Sequence, residues 1–90
     1  MSEIHETQVT LINEQGLHTR PAQLFVETAV KFESDIEVIF DDLTANGKSI
    51  MSLMGLLAFK GSVINIRAIG KDSKEAVESL KKLVESGFEQ

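Results

Sequence analysis

The chain has 90 residues, a formal net charge of -5 at pH 7, 42% hydrophobic and 26% charged residues, and no cysteine. That length suits one small domain with one modest core, and the proportions suit a soluble globular protein. The same figures exclude disulfides, thiolate chemistry and Cys-based metal sites; they fit a cytoplasmic protein and, with no basic stripe, argue against nucleic acid as a partner.

The start, Met1-Ser2-Glu3-Ile4-His5-Glu6, is polar and acidic, and no apolar run approaches 18 residues, so neither a secretory signal nor a membrane span is expected. Thr7 to Ile12 alternates as a strand with Val9 and Leu11 inward, and His5 just before it reads as solvated. Asn13-Glu14-Gln15-Gly16 breaks that strand. The stretch Gly16-Leu17-His18-Thr19-Arg20-Pro21-Ala22 then leads into an apolar series at i, i+3, i+4 and i+7: Ala22, Phe25, Val26 and Ala29. Pro21 belongs in a first helical turn, where a missing N–H does little harm. His18 therefore falls at or next to a helix N-cap, and the helix is expected to fray near Phe32.

Glu33-Ser34-Asp35 reads as a turn, and Ile36, Val38 and Phe40 alternate with Glu37, Ile39 and Asp41 as a second strand. Asp41-Asp42 is a turn, and Leu43-Thr44-Ala45 a short third strand ending at Asn46-Gly47. Ile50, Leu53, Met54 and Leu57 repeat at helical spacing, which predicts a short helix with Ser49 as its N-cap. Met51 lies outside that set and points partly outward. Methionine beside a reactive loop serves equally as docking surface or as core filler.

Lys60-Gly61 is a turn, and Val63 to Ile69 alternates most clearly of all, with Ile64, Ile66 and Ala68 on one face. Asp72-Ser73-Lys74-Glu75 has the form of a capping box. Ala76, Val77, Leu80, Leu83 and Val84 form one helical stripe, and Glu78 and Lys82 pair on the outer face. Gly87 stops the helix, and Phe88 supplies the apolar contact of a Schellman motif. The order β-α-β-β-α-β-α predicts an α+β fold of two layers, helices stacked on a single antiparallel sheet.

The chemistry concentrates at His18. First-turn N–H groups lack intrahelical partners, and the helix dipole places partial positive charge there. A phosphoryl group on the His18 ring would sit on those donors, with the Arg20 guanidinium close by. Nucleophile and anion cradle thus coincide within a few residues; taken by themselves, the same residues also read as an unusual cap, His18, and a solvated charge, Arg20.

Gly-Leu-His-Thr-Arg-Pro-Ala at 16–22 resembles the active-site signature of the HPr family, the histidine-containing phosphocarriers of the bacterial phosphotransferase system. A second segment, Asn46-Gly47-Lys48-Ser49-Ile50-Met51-Ser52-Leu53-Met54, resembles the regulatory-serine region of that family and lies at the usual distance from the histidine. The resemblance runs from about Glu6 to Phe88. It implies an open-faced β-sandwich, a four-stranded antiparallel sheet covered on one face by three helices, with the first strand beside the last.

It further implies that phosphate passes from phosphoenolpyruvate by way of enzyme I to Nδ1 of His18, and on to a histidine of an enzyme IIA domain. His18 is then the acceptor, Arg20 its phosphoryl partner, and Thr19 a further phosphate donor group. Ile50, Met51 and Met54 form the docking patch, and Ser49 is the site for HPr kinase/phosphorylase. On this reading the protein is a monomeric carrier without metal or cofactor, and its partners bring the rest of the catalytic machinery.

The chain departs from the family pattern at Thr19, often Ala in relatives, at Phe59, which is larger than expected, and at Glu27 and Ser52, where many relatives carry basic residues. The ending Ser86-Gly87-Phe88-Glu89 resembles NPr, the paralogue of the nitrogen-related branch, so a regulatory relay is the second reading. A co-regulator that binds a transcription factor is a third, and one that does not require the His18–Arg20 pair.

Overall fold

Strict alternation of buried and outward residues along Val63–Ile69 makes this strand the axis of the sheet: Ile64, Ile66 and Ala68 are fully buried. The computed structural model describes residues 3–89. In chain order it contains β1 (Ile4–Thr10), α1 (Thr19–Ala29), β2 (Asp35–Phe40), β3 (Leu43–Asn46), α2 (Ile50–Met54), β4 (Val63–Ile69) and α3 (Ser73–Glu85). The strands lie in the order β1-β4-β2-β3, and every neighbouring pair is antiparallel.

The inward side chains of the sheet, among them Val9, Ile36, Val38, Ala45, Ile64, Ile66 and Ala68, join Phe25, Leu53 and Leu80 from the helices in one apolar core. The open face is polar where it is central. Arg67 stands between Glu6 and Glu37 in the register, and its Nε donates to Glu37 Oε1 at 2.8 Å. Among the described residues no helix is long and apolar enough to cross a membrane.

The α+β architecture is as the sequence predicts, with three local corrections. β1 begins at Ile4 and ends at Thr10, because β4 offers partners from Ile4↔Ile69 to Thr10↔Val63. His5 is therefore not solvated: it is half-buried in this edge strand, with Nδ1 2.9 Å from the hydroxyl of the buried Ser73. α1 gives out near Phe32 as expected: its last helical residue is Ala29, and two i→i−3 bonds, Lys31 N–H to Thr28 O and Phe32 N–H to Ala29 O, carry the turn to Phe32. Lys48 Nζ donates to the Phe32 carbonyl at 2.7 Å, a cation at a helix end whose last turn has no basic residue.

The second correction is Leu57, which is 81% exposed with φ +57°. α2 ends at Met54 in i→i−3 bonds, Leu56 N–H to Leu53 O and Leu57 N–H to Met54 O. With three residues per turn, positions i+3 and i+6 fall under position i, so Leu56 takes the buried place that a 3.6-residue period assigns to Leu57.

Finally, Asp72 precedes α3 without capping it. Its carboxylate reaches across to the α1–β2 turn, accepting from Glu33 N–H (2.9 Å), Ser34 N–H (3.0 Å) and the Ser34 hydroxyl. The far end of α3 does close as a Schellman motif. Phe88 N–H meets Leu83 O and Gly87 N–H meets Val84 O, both at 2.9 Å, and Phe88 is buried.

The Ser34 hydroxyl, followed by the Glu33 N–H, holds the Asp72 carboxyl below its ordinary value. A carboxyl depressed in the folded state stabilises above its unfolded pKa, and that contribution fades as pH falls through the folded one. Asp72→Ala is therefore expected to melt below the wild type at pH 7, with the gap narrowing once pH drops under about 4. Paired thermal melts from pH 7 to pH 2 check this, and an equal gap across the whole range would contradict it.

Candidate functional site

The N-terminus of α1 is placed by the loop that precedes it. Gly16 has φ +60°, and a Cβ there would stand 2.4 Å from the Ala58 carbonyl oxygen and 2.6 Å from Phe59 Cα. Only glycine allows that conformation and that approach together. Leu17 N–H then donates to Ala58 O at 3.1 Å. Two further bonds, Leu11 N–H to Ser62 O (2.9 Å) and Gly61 N–H to Leu11 O (2.7 Å), tie the same two segments together. Glu14 and Lys60 pair across them at 2.6 Å; both are exposed, so the pair adds little to stability. Leu17 is buried, and the next three residues, His18, Thr19 and Arg20, are exposed.

His18 is the N-cap residue of α1, with extended backbone at φ -81°, ψ -175°. Its carbonyl accepts Ala22 N–H at 2.9 Å, and its side chain makes no capping bond. No acidic residue occupies the first turn. The N–H groups of Thr19 and Arg20, at the first two helical positions, have no intrahelical acceptor, and Pro21 has no N–H. The other helices differ. Ser49 Oγ accepts from Ser52 N–H at 3.2 Å to cap α2, and Glu75 supplies an acid to the first turn of α3. An eleven-residue helix that keeps its positive end uncapped and free of acid is suited to receive an anion there.

Three of the residues singled out in the sequence, His18, Thr19 and Arg20, thus share this exposed end. Thr19 joins it to α2 through its hydroxyl, which lies 3.9 Å from Met54 Sδ. Met51 is 84% exposed, whereas Ile50 and Met54 are half-buried and both pack on the core. Of the expected docking residues, Ile50 and Met54 therefore give most of their surface to the interior, and Met51 gives most to solvent.

The structure adds two exposed apolar residues to the same segment, Leu57 and Phe59, the latter edge-on to Phe40 at 6.3 Å between ring centroids. Helical spacing concealed Leu57, and nothing in the pattern around Phe59 marks it as outward. Gly16 carried a signal, a lone glycine just before the helix, but its contact with Ala58 joins segments forty-two positions apart. No group of three or more His, Cys, Asp or Glu residues able to hold a metal occurs among the described residues.

The family model described as the PTS HPr component phosphorylation site matches residues 5–86. The chain is 44% identical over 82 residues to the phosphocarrier protein HPr of Vibrio cholerae, covering 91% of this chain and 96% of that one. It is 42% identical over 80 residues to the HPr of Neisseria meningitidis serogroup A, covering 89% and 90%. The crystal structure of HPr-C-His from Thermoanaerobacter tengcongensis superposes with a TM-score of 0.91 at 45% identity, over 96% of this chain and 98% of the other.

The close approach at Gly16 generates a prediction with an internal control. Gly16→Ala must strain a positive φ and also displace the Ala58–Phe59 backbone, a cost of roughly 1–3 kcal/mol. Gly61 has φ +91° with nothing within 4 Å of a Cβ, so Gly61→Ala bears the backbone strain alone. Denaturant unfolding of both variants should rank Gly16→Ala as clearly the less stable; equal midpoints would contradict the packing argument.

Proposed function

Since the chain belongs to the HPr family, the phosphocarriers of the phosphotransferase system, we propose that it accepts a phosphoryl group from phospho-enzyme I on His18 and passes it to enzyme IIA domains. The observation that carries this reading is the end of α1: an exposed imidazole beside two unpartnered N–H groups, with no acid and no side-chain cap competing for them.

In the transfer, the lone pair of His18 Nδ1 forms the new bond to phosphorus as the bond to the donor breaks, and the electrons of that bond return to the donor. The transferred group brings negative charge to the helix end. The N–H groups of Thr19 and Arg20 and the Arg20 guanidinium are the donors available to hold it. Because these donors already belong to a formed helix, they need little rearrangement as the charge arrives. The chain supplies the nucleophile and the anion cradle, and enzyme I and enzyme IIA supply the leaving and receiving groups. Met51 and Met54, extended by Leu57 and Phe59, form the surface on which those partners settle in the cytoplasm.

Ser49 serves as the regulatory position. Its Oγ already accepts a backbone N–H at the start of α2. Lys48 beside it is committed to the Phe32 carbonyl, so little local cation is free to neutralise a phosphate there. A phosphoserine would keep the capping geometry and present its charge to the approaching partner.

Phosphoenolpyruvate, magnesium and a cognate enzyme I are expected to add one acid-labile phosphate to the wild type and none to His18→Ala. Arg20→Ala should slow the transfer at least several-fold while its melting temperature stays close to wild type, as for other exposed changes. A full signal in His18→Ala would remove His18 from the mechanism, and a large melting shift with unchanged transfer would make Arg20 structural.

The two serine variants should separate in opposite senses. Ser49→Asp keeps stability near wild type and weakens phosphorylation of His18, whereas Ser49→Ala loses about 1 kcal/mol of cap and retains transfer. Wild-type rates in Ser49→Asp would leave Ser49 a cap only.

A further inference from the structure

The residue that orients the peptide leading into His18 is Asn13. Its Nδ2 donates to the Gly16 carbonyl at 2.7 Å, and its own carbonyl accepts Gly16 N–H at 3.1 Å. Both peptide groups that flank Gly16 are thereby held. The second of them, Gly16–Leu17, is fixed at its two ends, its oxygen by Asn13 and its N–H by the Ala58 carbonyl. The next peptide begins His18. An error in that plane would swing the imidazole relative to the first-turn N–H groups of α1.

The chemistry at position 13 is selective. A donor is needed toward Gly16 O, and an amide flipped about its last torsion would set oxygen against oxygen. Asn13 Oδ1, meanwhile, is buried without a hydrogen-bond partner among the described residues. A side chain kept there despite an unused buried acceptor is held for its donor, since an unpaired buried acceptor is itself costly.

We propose that Asn13 is a positioning residue for phosphoryl transfer: it sets the Gly16–Leu17 peptide so that the ring of His18 and the open N–H groups of α1 converge on one phosphoryl group. This rests on the phosphocarrier reading above. Asn13 touches neither the reacting atoms nor α2, so its effect belongs in turnover and not in partner binding.

Asn13→Asp keeps the shape, removes the donor and sets a carboxylate against the Gly16 carbonyl. Asn13→Ala removes the donor without adding charge. With phosphoenolpyruvate, magnesium and enzyme I of a relative, Asn13→Asp should lose about tenfold in kcat, since small misplacements of reacting groups cost that much or more. Its KM for enzyme I should stay within about twofold of wild type, because the docking surface is unchanged. Asn13→Ala should fall between the two.

Wild-type kcat in both folded variants, a change confined to KM, or a loss that disappears when cooling restores full folding would each overturn the proposal. A second readout separates it from the reading on which it rests. In Asn13→Asp the amide resonances of Leu17, His18 and Thr19 should move while those of α3 stay. If the wild type takes no phosphate, the phosphocarrier reading fails and the transfer role of Asn13 falls with it, whereas these shifts still decide whether Asn13 sets the peptide before His18. Superimposable spectra would overturn it.

Discussion

Gly16 lies closer to the backbone of Ala58 and Phe59 than any side chain allows, and this contact determines where α1 emerges from the core. With Leu17 buried and its N–H committed to Ala58, the chain has little freedom left when it reaches His18. The exposed residues that follow are thus attached to a rigid support although they contact little themselves. A site built on rigid backbone holds its geometry better than one built on a free loop. The segment before β4 serves two roles at once: it enters a central strand of the sheet, and it forms the wall against which the loop before α1 rests.

The same division runs through the rest of the fold. β4 receives β1 on one side and β2 on the other, and its inward residues are wholly buried. Leu17 and Ala22 turn into the core on either side of His18, Thr19 and Arg20, which face solvent, so this helix end stays polar and open. Apolar surface appears instead on α2 and the segment after it, where Met51 and Leu57 are more than four-fifths exposed. On the proposed function, exposed apolar groups beside the α1 N-terminus give a partner something to bury without requiring it to desolvate the cradle. Thr19, set against Met54, marks the point where the two surfaces meet.

Periodicity made most of this fold legible. The strand of Val63–Ile69 and the stripe of α3 follow from alternation and from 3.6-residue spacing, and Gly87-Phe88 closes α3 through the bonds that a Schellman motif requires. The placement of His18 at an N-cap was readable because Pro21 and the series from Ala22 fix the start of the helix. What escaped were features decided by partners far along the chain. Asp72 has the sequence of a helix cap, yet its carboxylate finds better donors in Glu33 and Ser34, thirty-nine and thirty-eight positions away. His5 read as solvated because nothing in its own neighbourhood reveals that β1 starts at Ile4 and pairs with the far end of β4. Leu57 fitted an α-helical period that the chain abandons for i→i−3 bonds after Leu53. The HPr resemblance supplied the expected reaction; the structure adds that no side-chain cap and no acid occupy the helix end at His18.

On the proposed function the open N-terminus of α1 holds the phosphoryl group, and the backbone amide protons there report on it directly. In a 1H–15N spectrum recorded before and after phosphorylation by enzyme I, the amide protons of Thr19 and Arg20 should move strongly downfield as they become hydrogen-bonded to a charged oxygen. Those of Ser49 and Ser52, at the capped start of α2, should move much less. Phosphorylation of His18 with the Thr19 and Arg20 amide protons unmoved would show that the helix end does not cradle the group, and would contradict the account.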